Sequence, residues 1–230
     1  MDKNKHHWFL SVMDLVINLA FIVMLALFIR TYIVSPFRVN GPSMCNTLNV
    51  IDEVCQSPGS TKEEKIIVNE LFYQSVAGYS FGKPEAGDII VFRPPNNSVE
   101  KEYYVKRIIG EPGDTIKIVD GKVYKMFNDE FIELDESSYL NSSNQGNTFV
   151  GGVTQDEETI YQVPAENYFV MGDNRGSSAD SRSCFSNFNR DCDSQNISSY
   201  VPKANVRGKA ELVFWPFANI RILDDVEYDI

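Results

Sequence analysis

A chain of 230 residues with 32 Asp and Glu against 21 Lys and Arg carries a formal charge of -11. That surplus excludes a surface built to grip a polyanion, because neutralising phosphates takes clustered cationic side chains, so no nucleic-acid partner is expected. Phosphate-loop patterns are missing as well: neither Gly121-Lys122 nor Gly208-Lys209 has the upstream glycine, and no GxGxxG occurs, so no nucleotide cofactor is expected.

The first predicted element is the apolar segment from Trp8 to Ile29, interrupted only toward its start by Asp14 and Asn18. As a helix rising 1.5 Å per residue it covers roughly 33 Å, enough for the hydrocarbon core of a bilayer. Two other readings are open. A cleaved signal peptide would need an Ala-x-Ala-like site, which does not follow, and a core helix would need a domain to bury it. Lys3 and Lys5 on one side balance Arg30 and Arg38 on the other, so flanking charge does not set an orientation. The histidines, His6 and His7, both precede this segment. If it spans a membrane they lie across it from the folded domain, and a Ser-His-Asp triad is excluded.

Downstream the punctuation is that of one β-rich domain over 35–230. Runs rich in β-branched and aromatic residues, bounded by Gly, Pro or Asp, predict strands at 66–68, 88–92, 103–109, 114–119, 122–125, 168–171 and 210–214. Asp120-Gly121 between two of these is a two-residue hairpin signal, since such a turn needs positive φ. Polar stretches at 52–64, 127–158 and 183–200 read as loops or insertions, with a helix also compatible with 62–76. Cys45 and Cys55 lie ten apart and Cys184 and Cys192 eight apart. Each pair closes a short loop if the domain faces an oxidising space, and four free thiols is the other reading. With no CxxC and no histidine nearby, they make a poor metal set.

Strand parity gives Lys106 a direction. Alternation puts Tyr104, Lys106 and Ile108 on one face and Val105, Arg107 and Ile109 on the other. Desolvation beside two large apolar neighbours lowers the pKa of an amine. An ordinary lysine near 10.4 is neutral in roughly one molecule per thousand at pH 7.4, so service as a base needs a depression of about two or more. Ser43 follows the apolar segment in the run Gly41-Pro42-Ser43-Met44. Taken singly, these two residues read first as an edge-strand lysine reaching to water and a loop hydroxyl. Taken together, a neutral lysine is what lets a serine attack without histidine.

The order of the boxes carries more. After the apolar segment come Gly41-Pro42-Ser43-Met44-Cys45-Asn46-Thr47-Leu48, Gly87-Asp88-Ile89-Ile90-Val91-Phe92, then Tyr104-Val105-Lys106-Arg107-Ile108-Ile109-Gly110-Glu111-Pro112-Gly113-Asp114. The last is Met171-Gly172-Asp173-Asn174-Arg175-Gly176-Ser177-Ser178-Ala179-Asp180-Ser181-Arg182. The series closely resembles the type I signal peptidases of bacteria, from the anchor through each of that family's boxes.

The resemblance implies a mainly β fold: a transmembrane helix within 1–34, then a catalytic domain over 35–230 with a variable cap at about 120–165. It implies Ser43 as nucleophile, Lys106 as general base and Ser178 as the hydroxyl that orients the lysine amine. The Ser43 main-chain N–H would be one oxyanion donor, and the family often adds a hydroxyl two residues upstream, where this chain has Gly41. Arg107, Asp173, Asp180 and Arg182 would hold the site together. Phe37, Val39, Met44, Leu48, Tyr104 and Val105 would wall pockets for small residues at the -1 and -3 positions of a preprotein signal peptide. No metal or organic cofactor is implied. The bilayer is the implied partner, with the N-terminus cytoplasmic and the domain outside.

Three departures border the nucleophile. Asn46 stands where the family usually has proline, Asn49-Val50-Ile51-Asp52 where a Gly-Asp pair is usual, and an insertion precedes Ile66. They are expected to loosen the nucleophile loop or shift its substrate preference. Two other functions share some of these features. A self-cleaving Ser-Lys protein of the repressor type needs a DNA-binding segment and a cleavage site of its own. A catalytically silent tethered binding module would tolerate any residue at Ser43 and Lys106.

Overall fold

The computed structural model describes residues 3–32, 34–51, 54–56, 59, 62–73, 75–76, 79–80, 82–95, 102–185, 192 and 198–228. Helix α1, Lys3–Tyr32, contains neither glycine nor proline. Within it Ser11–Phe28 is long and apolar enough to cross a membrane, and none of those 18 residues is buried against the rest of the molecule. Leu15, Phe21 and Met24 are each more than 60% exposed. A core helix does not present its apolar side chains to solvent all round, so that reading falls. The side chains of Arg30 and Tyr32 lie outside the described ones.

The chain then enters strand β1, Val34–Arg38, turns through 41–47, and forms the short hairpin β2, Val50–Ile51, with β3, Val54–Cys55. Strand β4, Lys65–Asn69, alternates buried Ile66 and Val68 with half-exposed neighbours. This period of two, in a β-branched run, decides against a helix over 62–76: the strand is followed by a single 3-10 turn, Leu71–Tyr73, and by β5, Ser75–Val76, paired with β6, Tyr79–Ser80. Strand β7, Ile89–Phe92, is buried throughout, and β8, Tyr104–Gly110, is buried from Lys106 onward. These are central strands covered on both faces, which is why their apolar runs are nearly continuous.

Next come β9, Thr115–Val119, β10, Lys122–Phe127, β11, Glu130–Glu133, and β12, Thr159–Gln162, which make a four-stranded antiparallel sheet in the order β11-β10-β9-β12. Asp120 and Gly121 both have positive φ, 50° and 75°, as the hairpin requires. Strands β13, Asn167–Met171, β14, Val201–Pro202, β15, Val206–Trp215, and β16, Arg221–Ile222, complete the main sheet. Its order is β1-β4-β15-β7-β8-β13-β14, with β16 also on β15. The architecture is mainly β with one N-terminal helix. Of the strands longer than two residues, β1, β11 and β12 were not among the expected ones, nor was any of the two-residue strands: β1 contains Pro36, and the exposed pattern of β11 has no apolar alternation to reveal it.

Three apolar clusters fill the domain. One packs Val39, Met44 and Leu48 behind the turn that carries Ser43 against Ile66, Val68 and Val91. A second lies between the two sheets around Ile109, Ile116, Phe169 and Met171, and a third gathers Ile90, Phe92, Ile108 and Val170. Both cysteine pairs are joined, Cys45 to Cys55 and Cys184 to Cys192, which settles the choice left open between disulfides and free thiols.

Candidate active site

Register brings two distant boxes together. Ile90 faces Lys106 across β7 and β8, and Met171 faces Arg107 across β8 and β13, so Gly172 and Asp173 emerge beside the basic pair. The turn after β1 lies against this corner: Ser43 O accepts from the Asn174 N–H at 3.1 Å, and Thr47 Oγ1 donates to Asp173. The Asn46 side-chain amide donates to Asp173 O at 2.9 Å.

Lys106 Nζ lies 2.7 Å from Ser43 Oγ and donates to Val105 O at 2.9 Å. The residue is 3% exposed, and its amine sits 5.3 Å from the centre of the Tyr104 ring. Burial lowers its pKa to about 8, against the pull of Asp180 and Asp173, which favour the ammonium. At that value about one molecule in five is neutral at pH 7.4, some two hundred times the fraction of an ordinary lysine. With one N–H on Val105 O, the neutral amine has its lone pair free to face Ser43.

Around this pair the charges are matched. Arg107, 1% exposed, forks onto Asp173 through Nε at 3.0 Å and Nη2 at 2.8 Å, and its third arm donates to Gly87 O at 2.7 Å. Arg182 holds Asp180 in the same way, at 3.0 and 2.8 Å, and Asp180 also accepts from the Gly172 N–H at 3.0 Å. Burial raises the Asp180 carboxyl, but Arg182 and the Gly172 N–H outweigh it and hold the group below its ordinary range. Ser178 Oγ is buried and makes no hydrogen bond of good geometry among the described residues, although it lies near enough to Asp180 to help hold that carboxyl down. It is not hydrogen-bonded to the lysine amine in this structure, although both border the same cleft.

That cleft, of about 880 Å³, is lined by Val39, Gly41, Ser43, Met44, Tyr104, Val105 and Lys106 together with Ser177 and Ser178. Phe37 and Leu48 are not in its lining. Phe37 stacks edge-on against Tyr103 at 5.3 Å, and Leu48 is wholly buried in the cluster behind Met44. Their apolar character serves packing, which motif matching does not separate from a wall.

Several residues escaped the sequence reading. Asn174 Nδ2 donates to Pro42 O at 3.0 Å, the carbonyl of the peptide that carries the Ser43 N–H. Since that peptide is trans and planar, holding its oxygen aims its N–H the opposite way. Buried Arg175 reaches Glu136 through Nη1 at 2.8 Å and Thr148 Oγ1 at 2.6 Å, tying the 134–158 loop to the site. Tyr139 from that loop lies 4.1 Å beneath the Arg107 guanidinium. Asn174 and Arg175 stood inside a recognised box, whereas Glu136 had no signal. Among the described residues no group of three His, Cys, Asp or Glu side chains is arranged to hold a metal ion.

Comparison with known proteins identifies the family. A family model described as signal peptidase, peptidase S26, matches residues 12–215, from within α1 to the end of β15. Signal peptidase I of Rickettsia canadensis (strain McKiel) is 34% identical over 223 residues, covering 86% of this chain and 78% of that protein. Signal peptidase I P of Bacillus subtilis subsp. natto is 30% identical over 214 residues, covering 92% and 93%. Signal peptidase I of Leptolyngbya laminosa is 31% identical over 199 residues, covering 84% and 75%. With the family model matched over most of the chain and relatives of 30% identity or more covering most of it, the chain belongs to the signal peptidase family, peptidase S26.

Proposed function

We propose that this serine endopeptidase cleaves exported preproteins after small residues at -1 and -3, through an acyl-enzyme on Ser43 with Lys106 as its base. The observation that carries the reading is a lysine amine 2.7 Å from a serine hydroxyl at a site where that lysine is 3% exposed. Neutral Lys106 takes the Ser43 proton as Oγ attacks the scissile carbonyl, and the same proton passes to the departing amine. Water then repeats the sequence on the ester. The Ser43 N–H, aimed by Asn174, donates to the oxyanion. Ser178 borders the lysine and is assigned the orienting of its amine during turnover. Arg107, Asp173, Asp180 and Arg182 keep the corner neutral overall and fixed.

Val39, Met44, Tyr104 and Val105 form the walls for the small residues, with Gly41 at the rim and with Phe37 and Leu48 supporting from behind. Residues 1–34 then form the anchor and 35–230 the catalytic domain, with about 120–165 as a cap. Ser43 comes only 11 positions after Tyr32, the end of α1. A five-residue strand spans much of that distance, at about 3.3 Å per residue, which keeps the nucleophile near the membrane surface where a signal peptide ends. The anchor crosses the bilayer once with its N-terminus cytoplasmic, and the two disulfides suit a domain in an oxidising space.

The test is a peptide with an Ala-x-Ala site, incubated with the full chain in detergent. Cleavage after the -1 alanine is expected, and none with Ser43→Ala. Valine at -1 should lower kcat/KM about 10- to 200-fold, because added methyl groups meet a rigid wall. Equal cleavage of both peptides would remove the assigned pocket. Asn174→Ala should lower kcat about tenfold to a hundredfold with KM nearly unchanged, since the N–H it aims acts only once charge develops on the oxyanion. A rise in KM alone would show instead that Asn174 serves substrate binding.

A further inference from the structure

Two of the three departures around the nucleophile, at Asn49 and in the insertion before Ile66, coincide with a second set of tethers. Asn49 is wholly buried in a left-handed conformation, φ 63°. Its N–H donates to Glu64 Oε2 at 2.7 Å, and its Oδ1 accepts from the Glu64 N–H at 3.2 Å. Its Nδ2 donates to Gly41 O at 3.2 Å and to Gln56 O at 3.3 Å. Glu64, equally buried, is forked by Arg221 through Nη1 at 2.7 Å and Nη2 at 2.9 Å. The same Nη2 donates to Thr47 O at 2.7 Å, and Glu64 O accepts from the Val39 N–H at 2.9 Å. Positions 39 and 41 before the nucleophile and 47 and 49 after it are thus fastened to one ion pair. The loop that was expected to loosen or to shift substrate preference is thus tethered on both sides of Ser43.

We propose that Asn49, Glu64 and Arg221 are positioning residues, holding the main chain on both sides of Ser43 in the geometry needed for attack. This rests on the reading of Ser43 as nucleophile. The critical tether is the one to Gly41. That residue has φ 91° and open space where a side chain would stand, so nothing steric restrains it. It is the natural hinge of the turn. Pro42 follows with a ring-locked φ, so the orientation of the Gly41 carbonyl is passed on to the peptide that bears the Ser43 N–H. Asn49 removes the hinge's freedom, and Glu64 fixes Asn49 through both its main chain and its side chain. Arg221 does two things at once: its fork compensates a carboxylate with no solvent contact, and the second N–H of Nη2 pins Thr47 O. Arg221 stands 157 positions from Glu64, beyond the reach of any local motif.

The test uses the full chain in detergent, with kcat and KM on the Ala-x-Ala peptide normalised to folded protein by thermal unfolding. Asn49→Gly keeps a residue that accepts positive φ while deleting both side-chain donors and the acceptor. Its kcat should fall about 10- to 100-fold, the scale of a small misplacement of reacting groups, with KM within about twofold. The pH midpoint of kcat/KM should stay where the unaltered chain has it, because Lys106 is untouched. Arg221→Lys, which keeps a charge for Glu64 but lacks the fork, should move kcat in the same direction. If Asn49→Gly fails to fold, Arg221→Lys, at a half-exposed site, decides by the same criterion. A lowered Tm with unchanged kcat per folded molecule would make the knot merely structural and overturn the proposal. Ser43→Ala is run alongside: if it retains activity the nucleophile reading fails and takes this one with it. If it is inactive while Asn49→Gly turns over normally, only the positioning role is lost.

Discussion

Lys106→Met is expected to lose cleavage by about 10²- to 10⁴-fold, the range of a positioned base, and at the same time to unfold at a higher temperature near neutral pH. Both effects have one cause. The lysine is 3% exposed, and burial holds its pKa at about 8 where an unfolded chain has 10.5. The folded state therefore binds fewer protons than the unfolded state between those values. Its penalty is full below about pH 8 and fades as pH rises toward 10.5. The difference is worth about 3 kcal/mol, of which the apolar replacement would recover about 2 after the hydrogen bond to Val105 O is lost. Thermal unfolding of both proteins at pH 7 and pH 10.5 checks it: the gap should narrow at the higher pH. A methionine variant less stable than the parent at pH 7 would mean the amine is well solvated there, and the basis for a neutral lysine would go.

Gly172→Ala is expected to damage the site from its other wall. A β-carbon at that position would stand 2.2 Å from Ser178 Oγ and 2.4 Å from Ser43 O. The hydroxyl is able to swing aside, but the carbonyl is main chain held by the Asn174 N–H. Either β13 or the turn that carries Ser43 must shift, separating groups now 2.7 Å apart. A loss of about 10² in kcat is expected, together with about 1 to 3 kcal/mol of stability from overpacking. Steady-state kinetics beside thermal unfolding measures both. Wild-type kcat would show that the close approach of Gly172 to the turn is not needed for turnover.

How far the sequence reaches is visible at particular residues. Parity within β8 put Lys106 with Tyr104 and Ile108, and those two lie in one apolar cluster with the amine over the Tyr104 ring. That was legible because alternation is a local property of a strand. The turn at Asp120-Gly121 was legible for the same reason, since positive φ selects residue type directly. Asn49 shows the opposite case. As a departure from a family pattern it suggests looseness, but its partners Gly41 and Glu64 become neighbours only once β4 pairs with β1 and β15. Glu136 and Arg175 are 39 positions apart, joined by a loop whose polar composition resembles solvent-exposed chain. Leu48 and Phe37 matched a pocket pattern and proved to pack behind or beside it, because an apolar residue type does not say which side of a wall it takes.

The most direct measurement is the pH dependence of Ala-x-Ala peptide cleavage from pH 6 to 10 for the unaltered chain, Ser43→Ala and Lys106→Ala. The Ser-Lys account predicts kcat/KM rising with pH through a midpoint near 8, as the buried amine loses its proton, and no cleavage after alanine by either variant. Cleavage that survives Lys106→Ala with the same pH profile would contradict it.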